Sequence, residues 1–195
     1  VKLALALFLL FISIAAFAQK LPLNYGLAME RGVPSIAAEA LKAKFDTALA
    51  YTNEGFWRSN TISYVFVSVK EKTYYKGSIS TRRLSKGNWH SAKVKFKKIN
   101  TLQGKKLFQY VNKSALWTLN PDSLNDQRVR DEKGKLQEIK VYDGSNNVFE
   151  KITSFDCLTI QAYAPEVFIK EYQLDNGRKK FIAVRDYFLS RYRKL

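Results

Sequence analysis

The stretch PSIAAEALKAKFDTALAYTN, residues 34–53, decides how the rest of the chain is read. Pro34-Ser35 followed by Glu39 is a good helix start, with Ser35 as N-cap and an acid in the first turn. Ala37, Leu41, Phe45, Ala48 and Leu49 then share one face of a 3.6-residue period, so the spacing predicts one helix running to about Asn53. Asn53-Glu54-Gly55 ends it.

Downstream, to about Arg185, the pattern is strand-like. Gly55, Gly77, Gly87, Gly104, Gly134, Gly144 and Gly177 punctuate the apolar runs as turns would. In Trp89 to Lys98, His90, Ala92, Val94 and Phe96 alternate with Ser91, Lys93, Lys95 and Lys97, giving one core face and one basic face. Thr61 to Val69 is apolar on both faces, as a central strand covered on both sides would be. Leu136 to Tyr142 and Val148 to Phe155, around Asp143-Gly144-Ser145-Asn146-Asn147, read as a hairpin. Glu166 to Leu174 and Lys179 to Arg185, around Asp175-Asn176-Gly177, read as a second. Leu107 to Leu119 is ambiguous between strand and helix. Val184, Phe188, Tyr192 and Leu195 fall at helical spacing, which predicts a short basic C-terminal helix.

These elements define an α+β class, with one N-terminal helix packed on a curved antiparallel sheet of about six to nine strands, open-barrel or cone-like. An all-β lipocalin-like barrel is the alternative. The expected organisation is a signal peptide over residues 1–18, an extended lead-in over 19–33 and a single domain over 34–195. The leader follows from Lys2, the apolar run Leu3 to Ile14 interrupted only by Ser13, and Ala16-Phe17-Ala18 at the cleavage site. Cleavage after Ala18 implies a secreted or periplasmic protein of the bacterial envelope, because the apolar run is short of the roughly 20 residues that span a bilayer.

Among 195 residues, 33 Lys and Arg stand against 17 Asp and Glu, for a net charge of +16. A single Cys and a single His exclude an internal disulfide framework, Cys-pair zinc motifs and His-rich metal sites. No phosphate-binding glycine loop, nucleophile elbow or calcium loop is present, and no cofactor is expected. Between Lys70 and Lys106 twelve basic residues face one acid, Glu71, and Arg178 to Leu195 carries seven against Asp186. Asp122 to Asp143 is nearly balanced. If the basic segment forms adjacent strands, Arg82, Arg83, Lys93, Lys95 and Lys97 make a basic sheet face that attracts anions through summed potential.

The expected function is therefore non-catalytic binding of an anionic or amphipathic ligand. Candidate partners are lipid head groups, lipopolysaccharide and acidic glycans, with extracellular nucleic acid a weaker candidate because the aromatic residues lie mostly within apolar alternation.

The alternative is a secreted hydrolase. A thiolate nucleophile would need Cys157, His90 as base and a carboxylate such as Asp156. Paired carboxylates could come from Glu166, Glu171, Asp156 and Asp143, though nothing in the sequence selects a pair. Cys157, flanked by Phe155, Leu158 and Ile160, reads first as a small buried residue. Asp122, Asp126 and Asp131 could approach a metal, but Asn120-Pro121-Asp122-Ser123 reads as a turn.

Overall fold

The computed structural model describes residues 35–55, 61–82, 91–142 and 144–195. The leader, the lead-in, Arg83, His90 and Asp143 lie outside the described residues. Those residues form five α-helices and eight strands: α1 (Ile36–Leu41), β1 (Thr47–Gly55), β2 (Thr61–Lys70), β3 (Thr73–Arg82), β4 (Lys93–Lys98), α2 (Thr101–Lys113), α3 (Pro121–Leu124), β5 (Arg128–Arg130), β6 (Leu136–Glu138), β7 (Ser145–Thr153), β8 (Cys157–Tyr163), α4 (Pro165–Tyr172) and α5 (Arg178–Lys194). The class is mixed α+β. Six strands make one antiparallel sheet in the order β4-β3-β2-β1-β7-β8, and β5 and β6 make a separate hairpin. The large sheet is open, with β4 and β8 at its edges, which overturns the closed barrel.

The helix predicted to Asn53 ends at Leu41. Its start is as expected: the Ser35 hydroxyl accepts from the Ala38 N–H at 2.9 Å. After one turn the chain reverses, and Ala48 to Thr52 become the middle of β1, buried on both faces. A continuous apolar run of this kind is the pattern that periodicity cannot assign. Asp46 fixes the switch. Its N–H donates to the Val69 carbonyl at 3.0 Å, and its carboxylate accepts from the Glu71 N–H at 2.8 Å. Glu71 and Lys72 both have positive φ, 48° and 64°, so the Asp46 contact steadies a tight β2–β3 turn that neither side chain favours.

Because successive side chains alternate, β1 sends Leu49 and Tyr51 to one face and Ala48 and Ala50 to the other. The second face packs with Phe45, Tyr64, Phe66, Ile79 and Ile152 under α1. The first packs with Val67, Phe149 and Ile160 under Leu107 and Val111 of α2 and Phe181, Val184 and Phe188 of α5. The expectation that β2 is covered on both sides agrees with this, since Tyr64 and Phe66 join one cluster while Val65, Val67 and Val69 join the other.

Both predicted downstream hairpins are corrected. Leu136–Glu138 pairs with Arg128–Arg130, whereas β7 pairs with β1 and β8. The segment from Glu166 to Arg185 is helical on both sides of its turn. Pro165 opens α4, Gln173 in the left-handed region closes it, and the spacing of Phe181, Val184 and Phe188 carries the C-terminal helical stripe into the supposed strand. Arg178 secures the joint from a fully buried position. Its guanidinium donates to the carbonyls of Leu174 at 3.2 Å and Asp126 at 2.6 Å and lies 4.8 Å from the Phe168 ring centroid. The ambiguous Leu107–Leu119 segment resolves into the second half of α2 and one 3₁₀ turn, Ala115–Thr118.

Gly104 sits inside α2 where the helix presses on β3. A Cβ there would lie 2.6 Å from Tyr74 Cβ and 2.9 Å from Ile99 Cδ1. Gly104→Ala should therefore destabilise the protein by about 1–3 kcal/mol through overpacking, although Ala in a helix is intrinsically better by about 1 kcal/mol. Denaturant unfolding checks the sign: a more stable Ala variant would show that α2 is free to move off the sheet.

Candidate functional site

Strand β4 alternates as expected. Val94 and Phe96 face the α1 side, where Phe96 meets the rings of Phe45 and Tyr75 edge-on at 5.3 and 5.8 Å, though it stays 50% exposed. Lys93, Lys95 and Lys97 are exposed and belong to the opposite face. The β3–β4 register sets Ser80, Ser78 and Lys76 against them. Arg82, two residues beyond Ser80, belongs to the same face. The structure thus brings together four of the five predicted anion-binding residues and adds Lys76, which sequence reasoning left aside. No carboxylate stands opposite these cations in the register of the sheet.

Lys76 and Lys97 are directly opposed like charges. Burial, reinforced by Lys97, holds the Lys76 ammonium below its ordinary pKa. Lys76 is steadied from α5: its Nζ donates to the Tyr192 carbonyl at 3.3 Å and lies 5.2 Å from the Tyr192 ring centroid, while the Tyr192 hydroxyl donates to the Gly77 carbonyl at 2.8 Å.

A second feature lies on the helices that cover this side of the sheet. Lys106, Gln109, Tyr110 and Lys113 share one face of α2, and Lys180, Ala183, Val184 and Tyr187 share one face of α5. Between them runs an open groove of about 750 Å³, whose lining is completed by Ser114, Ala115 and Leu116. Tyr110 and Tyr187 stack with centroids 3.8 Å apart, and the Arg191 guanidinium lies 5.4 Å from the Tyr187 ring. The lining contains three lysines and no acid. The sequence carried this signal in the i, i+4, i+7 spacing of Lys106, Tyr110 and Lys113. The spacing is masked because Leu107 to Leu119 fits strand or helix and Lys179 to Arg185 has the pattern of a strand.

The residues named for hydrolysis are placed elsewhere. Glu166 pairs with Arg185, whose side chain is 12% exposed and also contacts Asp186 at 2.8 Å and Asn147 at 3.4 Å. Tyr51 donates to that Asn147 side chain at 2.7 Å, so this network braces α4 and α5 to β1 and β7. Glu171 pairs with Lys170 at 3.3 Å on the surface. Asp156 accepts from the Cys157 N–H at 2.8 Å within the β7–β8 turn. The half-buried Cys157 packs against the α1-side cluster, and burial, with the Glu150 charge adding, pushes its thiol up to about 12. That environment favours the thiol over the thiolate a nucleophile needs. Asp126 accepts from Arg128 Nε at 2.8 Å, and Asp131 accepts from the N–H groups of Lys133 and Lys135 at 3.0 and 2.9 Å, so both order local turns. Among the described residues no group of three potential ligands could hold a metal ion, and no helix is long and apolar enough to cross a membrane.

No family model, curated protein or solved structure matches this chain.

One carboxylate that the sequence did not mark stands apart. Glu150 on β7 is fully buried between Ala50 and Thr159, and neither of its oxygens has a hydrogen-bond partner among the described residues. Burial pushes its pKa up to about 7, the nearby Ser35 hydroxyl opposing the rise and the Glu54 charge adding to it. The folded chain therefore holds this proton more tightly than the unfolded chain. Its contribution is fully present below about pH 4.5 and is lost as pH rises toward about 7. Glu150→Gln should remove that loss. Across this window the stability of the variant relative to wild type should rise by on the order of 3 kcal/mol, each tenfold in proton affinity being about 1.4 kcal/mol. Urea unfolding at a series of pH values measures it, and parallel curves would show that Glu150 is not buried unpaired.

Proposed function

We propose that this protein is an exported, non-catalytic envelope protein that binds an anionic or amphipathic ligand, a lipid head group or acidic glycan, through the basic face of β3 and β4. The observation that carries this reading is the placement of Arg82, Lys76, Lys93, Lys95 and Lys97 on one side of an edge hairpin with no carboxylate in register. Directly opposed like charges cost stability in a sheet. A bound anion would relieve that cost and gain from several cations at once, and outward lysines about 6.7 Å apart along β4 suit a ligand with repeated or multiply charged acidic groups. The leader ending at Ala18 supplies the export half of the reading, with one domain from residue 34 onward whose open sheet curves about α1.

Binding to a sulfated glycan and to vesicles of anionic phospholipid tests the reading. Replacing Lys93, Lys95 and Lys97 by Gln should weaken binding to at least one probe by roughly tenfold or more and flatten its salt dependence. Unchanged affinity and an unchanged salt slope for both probes would remove this face from the function.

A further inference from the structure

We propose that the groove between α2 and α5 is a separate binding site for a single-chain amphiphile with an anionic head, the head held by Lys106, Lys113 and Lys180 and the chain laid along Tyr110, Tyr187 and Ala183. This goes beyond the basic-face reading and uses none of its residues.

Size, lining and charge agree. The groove, at about 750 Å³, falls within the roughly 300–1,000 Å³ of ordinary small-molecule sites. Its lining pairs a stacked tyrosine pair and aliphatic side chains with three ammonium groups. None of the three lysines makes an ion pair among the described residues, and no acid lines the groove to compete with a ligand.

The two helices arrange these groups in the same way. On α2, Lys106 precedes Tyr110 by one turn and Lys113 follows it by one, so cations stand on either side of the ring. On α5, Lys180 stands two turns before Tyr187, and Arg191 approaches the Tyr187 ring from one turn beyond. Lysine stems can lie along the apolar lining while their charged ends reach a head group at the rim. A small inorganic anion would use the lysines and leave the tyrosines uncovered. A neutral apolar molecule would do the reverse. The β3–β4 face, by contrast, sets Lys93 and Lys95 against serines, and the Tyr192 ring on that side is already taken up by Lys76. The apolar part of an amphiphile is therefore accommodated at the groove.

Calorimetric titration of the purified protein with dodecyl phosphate, below its micelle concentration, tests the proposal. Butyl phosphate, with the same head, and dodecyltrimethylammonium, with the same chain and opposite charge, serve as comparisons. Dodecyl phosphate should bind at a saturable site and both comparisons at least roughly tenfold more weakly. Replacing Lys106, Lys113 and Lys180 by Gln, or the exposed Ala183 by Trp to fill the groove, should each weaken dodecyl phosphate by roughly tenfold or more without changing the melting temperature. The Lys93, Lys95 and Lys97 triple variant should bind it as wild type does. Absence of binding, equal binding of butyl phosphate or of the cationic amphiphile, or insensitivity to both groove variants overturns the proposal. Loss confined to the β4 variant would assign the ligand to the sheet face instead. Because the two variant sets share no residue, this site and the basic face can fail independently.

Discussion

The constraint on which the molecule depends is that β1 must hide both of its faces. It lies inside the sheet, bonded to β2 on one side and to the distant β7 on the other. Its two faces are unequal. Ala48 and Ala50 offer little bulk, and against them sits α1, a short helix that brings Ala37, Ala38 and Leu41, with the rings of Phe45 and Phe66 filling the remaining space. Leu49 and Tyr51 require more cover, supplied by α2 and α5, with Tyr51 against Phe149 at 4.9 Å and Phe188 at 6.5 Å. Aromatic contacts of this kind add about 0.5–1.5 kcal/mol each beyond burial, so the larger cluster has most to lose if either covering helix lifts.

That burial decides where the charge can go. With the middles of β1 and β2 largely apolar on both sides, most of the excess of cations falls on the edge hairpin and on the covering helices. Lysines on β4 also blunt an exposed edge that could otherwise pair with another chain, so part of their placement serves solubility. The groove lysines have no such role, because a helix has no unpaired edge to protect.

The strands with clean alternation were legible in the sequence, and so were the N-cap at Ser35 and the helical stripe through Phe188. Some of what was illegible comes from a residue type retained for a reason other than the usual one. Gly77 and Gly104 read as turns because glycine so often supplies backbone freedom, yet both lie inside regular elements and are kept for the side chain they lack. A Cβ at Gly77 would lie 2.5 Å from the Phe66 ring, and Gly104 lets α2 rest on Tyr74. The tight turn at Glu71 and Lys72 carries no glycine or asparagine and is held from a distance by Asp46. Half of the α5 stripe was lost because Asp175-Asn176-Gly177 fits a hairpin as well as a joint between helices. The basic face could be anticipated because it lies on neighbouring strands joined in sequence. The groove could not, since its two walls are separated by the β5–β8 segment and meet only once the sheet has been covered.

The Lys76–Lys97 pair shows how the protein tolerates its own repulsion. Lys76 reaches the Tyr192 carbonyl in the last turn of α5, where the helix dipole places partial negative charge and favours a cation. The Tyr192 ring beneath it contributes a further electrostatic attraction. The same contact fastens the end of α5 to β3, so it serves the cover and the charge together. Lys93, Lys95 and Lys97 have no comparable partner among the described residues. An incoming anion would therefore meet a row of three uncompensated ammonium groups on β4, with Lys76 behind them already satisfied and contributing potential more than contact.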